Sequence, residues 1–195
     1  MSLLLAHAPI AWYVVRASGL VAFAALTLSV WLGLATSTRL LGPKRLKSLV
    51  GWHQTIAWTG VSMLGLHAGA LLFDPTLHFG LAALLVPFAA PWSPAAVAAG
   101  IVAGWTMLAI ASSFRLKRWI GQRGWRRLHY LSFGAFVLAL GHALVAGTDL
   151  HGVDGPVLAA IAAGPVIWLG LARALMPRAG RTVPATRPAL ETGGR

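Results

Sequence analysis

Four histidines lie inside apolar stretches and come in two widely spaced pairs: His53 and His67 on one candidate helix, His129 and His142 on another. An ionisable side chain placed in hydrocarbon is costly and therefore marks a functional site by default. Two helices that each offer a histidine near either membrane face can clamp two flat metal cofactors, one above the other. Imidazole is a usual axial ligand of haem iron, so two haems carrying electrons across a bilayer are the chemistry these residues suggest. Depth pairs His53 with His129 at one face and His67 with His142 at the other.

Spacing supports a shared face on the first helix and strains it on the second. The 14 residues from His53 to His67 rise ~21 Å and return to within about 40° of the starting face. Gly60 is midway on that face, where a missing side chain would admit a macrocycle, and Gly65 and Gly69 add room. The 13 residues from His129 to His142 leave the second ring about 140° off the face of the first. Tilt, or distortion around Gly134 and Gly141, is expected to bring it round. The rival reading is that these histidines simply hydrogen-bond neighbouring helices. Zinc is disfavoured, because no carboxylate or thiolate is near enough in sequence to complete a tetrahedral site.

Composition says what must position these rings. Of 195 residues, 57% are hydrophobic and 10% charged, and the mean hydropathy is +0.74, against roughly 25% charged residues in soluble domains. The absence of cysteine excludes disulfides, thiolate-held iron–sulfur clusters and covalent haem attachment. Five apolar segments approach the ~20 residues a spanning helix needs: 11–35, 50–72, 95–114, 128–147 and 154–175. The expected fold is an all-α polytopic transmembrane bundle, with haems held between helices two and four. A domain over 1–176 and a disordered cytoplasmic tail over 177–195, rich in Pro, Gly, Thr and Arg, complete the division.

The net charge of +12 is unevenly distributed. Of 16 basic residues, 15 fall between spans one and two, between spans three and four, or at and beyond the end of span five. Loops 73–94 and 148–153 contain no Lys or Arg. This bias places the N-terminus outside and the C-terminus in the cytoplasm of a multi-pass cell-membrane protein. The charge is a topology signal and an anchor for anionic lipid, and no basic-aromatic module points to nucleic acid. The stretch 77–86 is too short to span and is expected to lie over the outer end as an interfacial or re-entrant segment. Asp74, Asp149 and Asp154, with His78 and His151, allow a cation-attracting outer rim, although turn chemistry explains them more simply.

Arg16 is the remaining charge within an apolar span, and snorkelling is one account of it. The preferred account has it pairing with the propionates of the outer haem. Phe136, midway between His129 and His142, is expected in the core rather than as an electron relay. The nine tryptophans, mostly near span ends, suit an interfacial belt.

Several of these residues together resemble a known family. They are Trp12-x-x-x-Arg16-x-Ser18-Gly19 in the first span, Trp52-His53 and Leu66-His67 in the second, and Trp125-Arg126-Arg127-Leu128-His129 with Gly141-His142 in the fourth. The pattern is similar to the ferric-reductase-like transmembrane domain of NADPH oxidases, iron reductases and the haem subunit of bacterial methionine sulfoxide reductase systems. That resemblance implies two bis-histidine b-type haems and electron flow from cytoplasm to exterior, towards an acceptor on the outer face. Family members that reduce metals or oxygen continue into a flavin and nicotinamide domain, for which no G-x-G-x-x-G motif is present here. The expected donor is a separate cytoplasmic flavoprotein, a flavin bound at the cytoplasmic face, or membrane quinol. The chain also departs from the family's common six spans. Two alternatives stand beside the ferric-reductase reading. One is a haem subunit feeding a separate exported reductase, and the other is a haem-free transporter or structural membrane protein.

Overall fold

The computed structural model describes residues 2–38, 42–75, 77–147 and 152–175. The expected tail over 177–195, together with Asp149 and His151, lies outside the described residues. Five helices follow in order: α1 (Ser2–Thr38), α2 (Gly42–Leu71), α3 (Leu81–Leu85), α4 (Pro94–Ala146) and α5 (Asp154–Leu175). Three carry stretches long and apolar enough to cross a membrane: Ile10–Ser37, Pro94–Ala146 and Asp154–Leu175. The chain is thus an all-helical protein with membrane-spanning elements among its described residues. The expected span 50–72 is not among them: it falls on α2 as far as Leu71, where His53, Gln54, Thr55, Thr59, Ser62 and His67 dilute the apolar character.

The length of α4 conceals a reversal. Gly121 has φ 68 and ψ 172, outside the helical region, a conformation that glycine adopts at little cost because it lacks a Cβ. The arms before and after it pack side by side and antiparallel, so that His142 on the second arm meets Ala96 on the first. Ala103, Met107 and Ile110 from the first arm form one buried cluster with Ala135 from the second and Leu26 from α1. The start of α4 is set by Pro94, which suits the first helical turn because its missing N–H would be unpaired there anyway.

A second cluster joins Val30 and Leu34 of α1, Phe136 of α4, and Ala162 and Leu169 of α5. Phe136 is 3% exposed and stacks on Phe23 at 6.3 Å, the core position expected of it. Trp31 Nε1 donates to the carbonyl of Ala162 at 3.1 Å, fastening α5 to α1. The outward faces remain apolar, with Leu20, Val21, Trp105, Val137, Ile161 and Trp168 all exposed. A helix apolar on its outer as well as its inner face is at home in lipid.

Between α2 and α4 the chain seats a short cap on the bundle. Phe79, Ala83 and Ala90 pack with Val97 of α4 and against Leu71 of α2, and Trp105 Nε1 donates to the carbonyl of Leu85. At five residues α3 is far too short to cross a bilayer. Asp74, 5% exposed, accepts the backbone N–H of Leu77, which is the turn chemistry expected of it. Asp154 stands in the first turn of α5, where a negative charge complements the helix dipole.

Candidate functional site

The candidate site is built on the packing of α2 along α1. His53 Nδ1 lies 2.8 Å from the carbonyl of Ser29, and His67 Nδ1 lies 2.8 Å from the carbonyl of Val15. Ser29 and Val15 are 14 residues apart, the same interval as His53 and His67. One antiparallel register therefore serves both contacts. Gly60, halfway between the histidines, falls in that register too. A Cβ there would meet Ala25, the carbonyl of Ala22 and the N–H of Leu26. Gly60 thus brings two backbones together, instead of making the space for a macrocycle expected from its position.

A recurrent device sets three of the four rings. In a helix, the carbonyl of residue i accepts the N–H of residue i+4 and keeps a second lone pair. Glycine at i+4 leaves the approach to that lone pair open. Val15 is followed at this interval by Gly19, Ser29 by Gly33, and Ala96 by Gly100. The ring of the matching histidine lies over each glycine. A Cβ on Gly19 would stand 2.8 Å from His67 Nδ1, one on Gly100 2.8 Å from His142 Nδ1, and one on Gly33 3.4 Å from His53 Cε1. His142 Nδ1 reaches the carbonyl of Ala96 at 2.8 Å.

Because a carbonyl only accepts, the Nδ1 of each neutral ring carries the proton and donates it. Nε2 is then left as a bare lone pair, the form in which imidazole binds a metal. Ser29 Oγ also lies 3.1 Å from His53 Nδ1. His129 differs: its Nδ1 is buried without a hydrogen-bond partner, and its ring lies against Trp125 at 4.9 Å and 30°.

The rings meet in the pairs that depth suggests. His53 and His129 have centroids 5.9 Å apart, and His67 and His142 6.3 Å apart. No distortion turns His142 towards α2, since Gly121 is the one non-helical residue inside α4. The angular offset is retained. His142 reaches its partner from the flank of the second arm that faces Ala96 and Gly100. His129 leaves the same helix from a different side, away from any such carbonyl.

These distances test whether a haem iron suits the residues. A metal–imidazole nitrogen bond is ~2.0 Å, so two in line place the nitrogens ~4 Å apart and the ring centres about 2 Å further. Both pairs match that span. Among the described residues no group of three or more His, Cys, Asp or Glu is placed to hold a metal. A two-histidine site therefore suits a metal that brings its own equatorial ligands. The residues fit the group.

Arg16 adjoins Val15, at the depth of His67, and its guanidinium lies 4.0 Å from the centre of the Trp12 ring. Ser18 donates to the carbonyls of Val14 and Val15. The Trp12, Arg16, Ser18 and Gly19 pattern thus gathers a held cation, a bonded hydroxyl and a ring seat on one stretch of α1. Gly33, Gly100 and the three carbonyls were beyond sequence reasoning. One signal was readable, however: Gly19 and Gly33 repeat the histidine interval of 14 residues. No protein-family model, curated protein or solved structure matches the chain.

Proposed function

We propose that this chain is a transmembrane electron conduit of the ferric-reductase type. In this reading His53 and His129 hold one b-type haem and His67 and His142 a second. The observation that carries it is the approach of the rings at 5.9 and 6.3 Å, with three rings fixed so that Nε2 is the free nitrogen. When bound, the two haems supply one-electron chemistry at two depths. The residues do the rest: α1 carbonyls orient the rings on α2, and the cap over residues 72–93 covers the His67–His142 end. Arg16 is placed at that end to pair with propionates, with Trp12 steadying its guanidinium.

The same reading makes five crossings, counting α1, α2, the two arms of α4, and α5. The basic residues other than Arg16 then face the cytoplasm, where a flavoprotein, bound flavin or quinol would donate, and the acceptor stands outside. Pyridine haemochrome analysis of purified protein tests the stoichiometry, with two haems per chain expected. His67→Ala or His142→Ala should remove one haem and leave the other, and His53→Ala or His129→Ala should do the converse. A wild-type ratio near one, or none, would overturn the reading.

A further inference from the structure

A second feature stands at the Gly121 end, apart from the histidine pairs. Arg123, Arg126, Arg127 and Tyr130 line a shallow cavity of about 240 Å³. Their spacing puts them on one helical face, where like charges three or four residues apart repel. Among the described residues none of these three guanidiniums has a hydrogen-bond or ion-pair partner. Asp74 and Asp154, the described carboxylates, belong to the opposite end of the bundle. A counter-charge must therefore come from outside the described chain.

The fourth lining residue adds a directed donor. Arg173 donates to Tyr130 Oη at 3.4 Å, tying α5 to the rim of the cavity. With its oxygen accepting from arginine, the hydroxyl keeps its own proton to donate into the cavity. The flank is apolar: Trp119, Ile120 and Leu131 are 75%, 41% and 54% exposed. Cations beside exposed apolar side chains mark the boundary between hydrocarbon and headgroups.

We propose that Arg123, Arg126, Arg127 and Tyr130 bind the phosphate group of an acidic phospholipid. Guanidinium forks match phosphate oxygens two at a time, as a point charge cannot. In so open a cavity a free ion would be screened by salt. A lipid is concentrated there by its acyl chains, which the apolar flank receives. The proposal rests on the membrane placement of this end and stands independently of the haem reading.

The test uses the full chain in neutral detergent, titrated in parallel with short-chain phosphatidic acid and with inorganic phosphate, and scored by native mass spectrometry and tryptophan fluorescence. Phosphatidic acid should bind, and R126Q/R127Q should weaken it by about tenfold or more, the loss expected for charge-assisted hydrogen bonds. Y130F should weaken it by about threefold with no change in charge. R45Q/K47Q, which removes equal charge from the start of α2, should change it less than about twofold. Equal weakening by R45Q/K47Q would reduce the site to a diffuse field and overturn the proposal. Inorganic phosphate binding as tightly as the lipid would overturn the lipid assignment, and an unbound phosphatidic acid would overturn the site. All four residues are exposed, so the variants should melt with the wild type, and Y130F keeps the test independent of the arginine changes.

Discussion

At the His67–His142 end both rings donate Nδ1–H to a helix carbonyl at 2.8 Å, whereas at the His53–His129 end only His53 does so. The second arm of α4 creates the difference. Its two histidines leave the helix on sides about 140° apart, so only His142 faces the first arm and its carbonyls. His129 is held by an aromatic neighbour instead, which restrains the plane of a ring but gives its Nδ1 no hydrogen-bond partner. A hydrogen bond behind a metal-binding imidazole fixes its orientation and raises its basicity, and losing such a partner typically costs 10–100-fold in metal affinity. On the proposed function, the His67–His142 end is therefore the better built of the two for holding its haem, and the His53–His129 end the more yielding.

The widest gap between the ends should open when the ring seats are filled. Gly19→Ala or Gly100→Ala sets a Cβ 2.8 Å from an imidazole nitrogen, closer than atoms tolerate. Either the helices part, or the ring moves and abandons its carbonyl. Overpacking of this kind costs about 1–3 kcal/mol, and a buried donor left without an acceptor costs a similar amount. Both variants should lower the thermal stability of the detergent-solubilised protein and deplete the haem proposed for the His67–His142 end. Gly33→Ala meets His53 no closer than 3.4 Å, an ordinary contact, and should leave stability within about 0.5 kcal/mol of wild type. Equal losses at all three glycines would remove the carbonyl-and-glycine device as the basis of the difference.

The opposite end should respond to the reversal in α4. Gly121→Ala forces a φ of 68 and a ψ of 172, a region open essentially to glycine alone, on a residue with a Cβ, at about 1–3 kcal/mol. The strain falls four residues before Trp125 and eight before His129, while His142 remains held at Ala96. Loss of the haem proposed for His53 and His129 ahead of the other is the expected outcome, read from the haem-to-protein ratio after mild heating. Loss of both together would show that the ends do not behave separately.

What could be read from the sequence divides along the same line. The apolar stretches of α1, α4 and α5, the pairing by depth and the interval of 14 residues on α2 follow from composition and from helical rise and turn, which are local properties. The seats under the rings depend on the register between helices, and no local pattern states that register. Gly60 illustrates the limit. Its position on the histidine face was legible, but not that α1 presses against it at Ala22 and Leu26. The offset of His142 was also legible. That it needs no distortion at Gly134 or Gly141 follows only once the reversal at Gly121 brings Ala96 and Gly100 alongside.

Trp125 offers a smaller perturbation of the His129 ring. Aromatic pairs contribute about 0.5–1.5 kcal/mol beyond their buried area, and this one substitutes for the missing carbonyl. Trp125→Phe should keep most of the restraint, while Trp125→Ala should broaden the electron paramagnetic resonance signal of the haem proposed for His53 and His129 and leave the other signal unchanged. Lys117, 4.8 Å from the Trp125 ring, makes a cation–π contact between two half-buried side chains, of about 0.5–2 kcal/mol. Lys117→Gln should therefore give a weaker version of the same effect.

Ser29 marks the smallest expected change and the sharpest check on which atom matters. Two of its oxygens face His53: the carbonyl at 2.8 Å and the hydroxyl at 3.1 Å. The imidazole has one Nδ1 proton, and the nearer oxygen belongs to the backbone, which no side-chain substitution removes. Ser29→Ala should thus cost less than about 1 kcal/mol, the net worth of one ordinary hydrogen bond. Ser29 is 4% exposed, and alanine fills nearly the same volume, so no sizeable cavity opens. Metal retention at the His53–His129 end should remain close to wild type by haem-to-protein ratio. A loss approaching that of Gly100→Ala would mean that the hydroxyl, and not the carbonyl opened by Gly33, sets this ring, and His53 would then leave the group that His67 and His142 define.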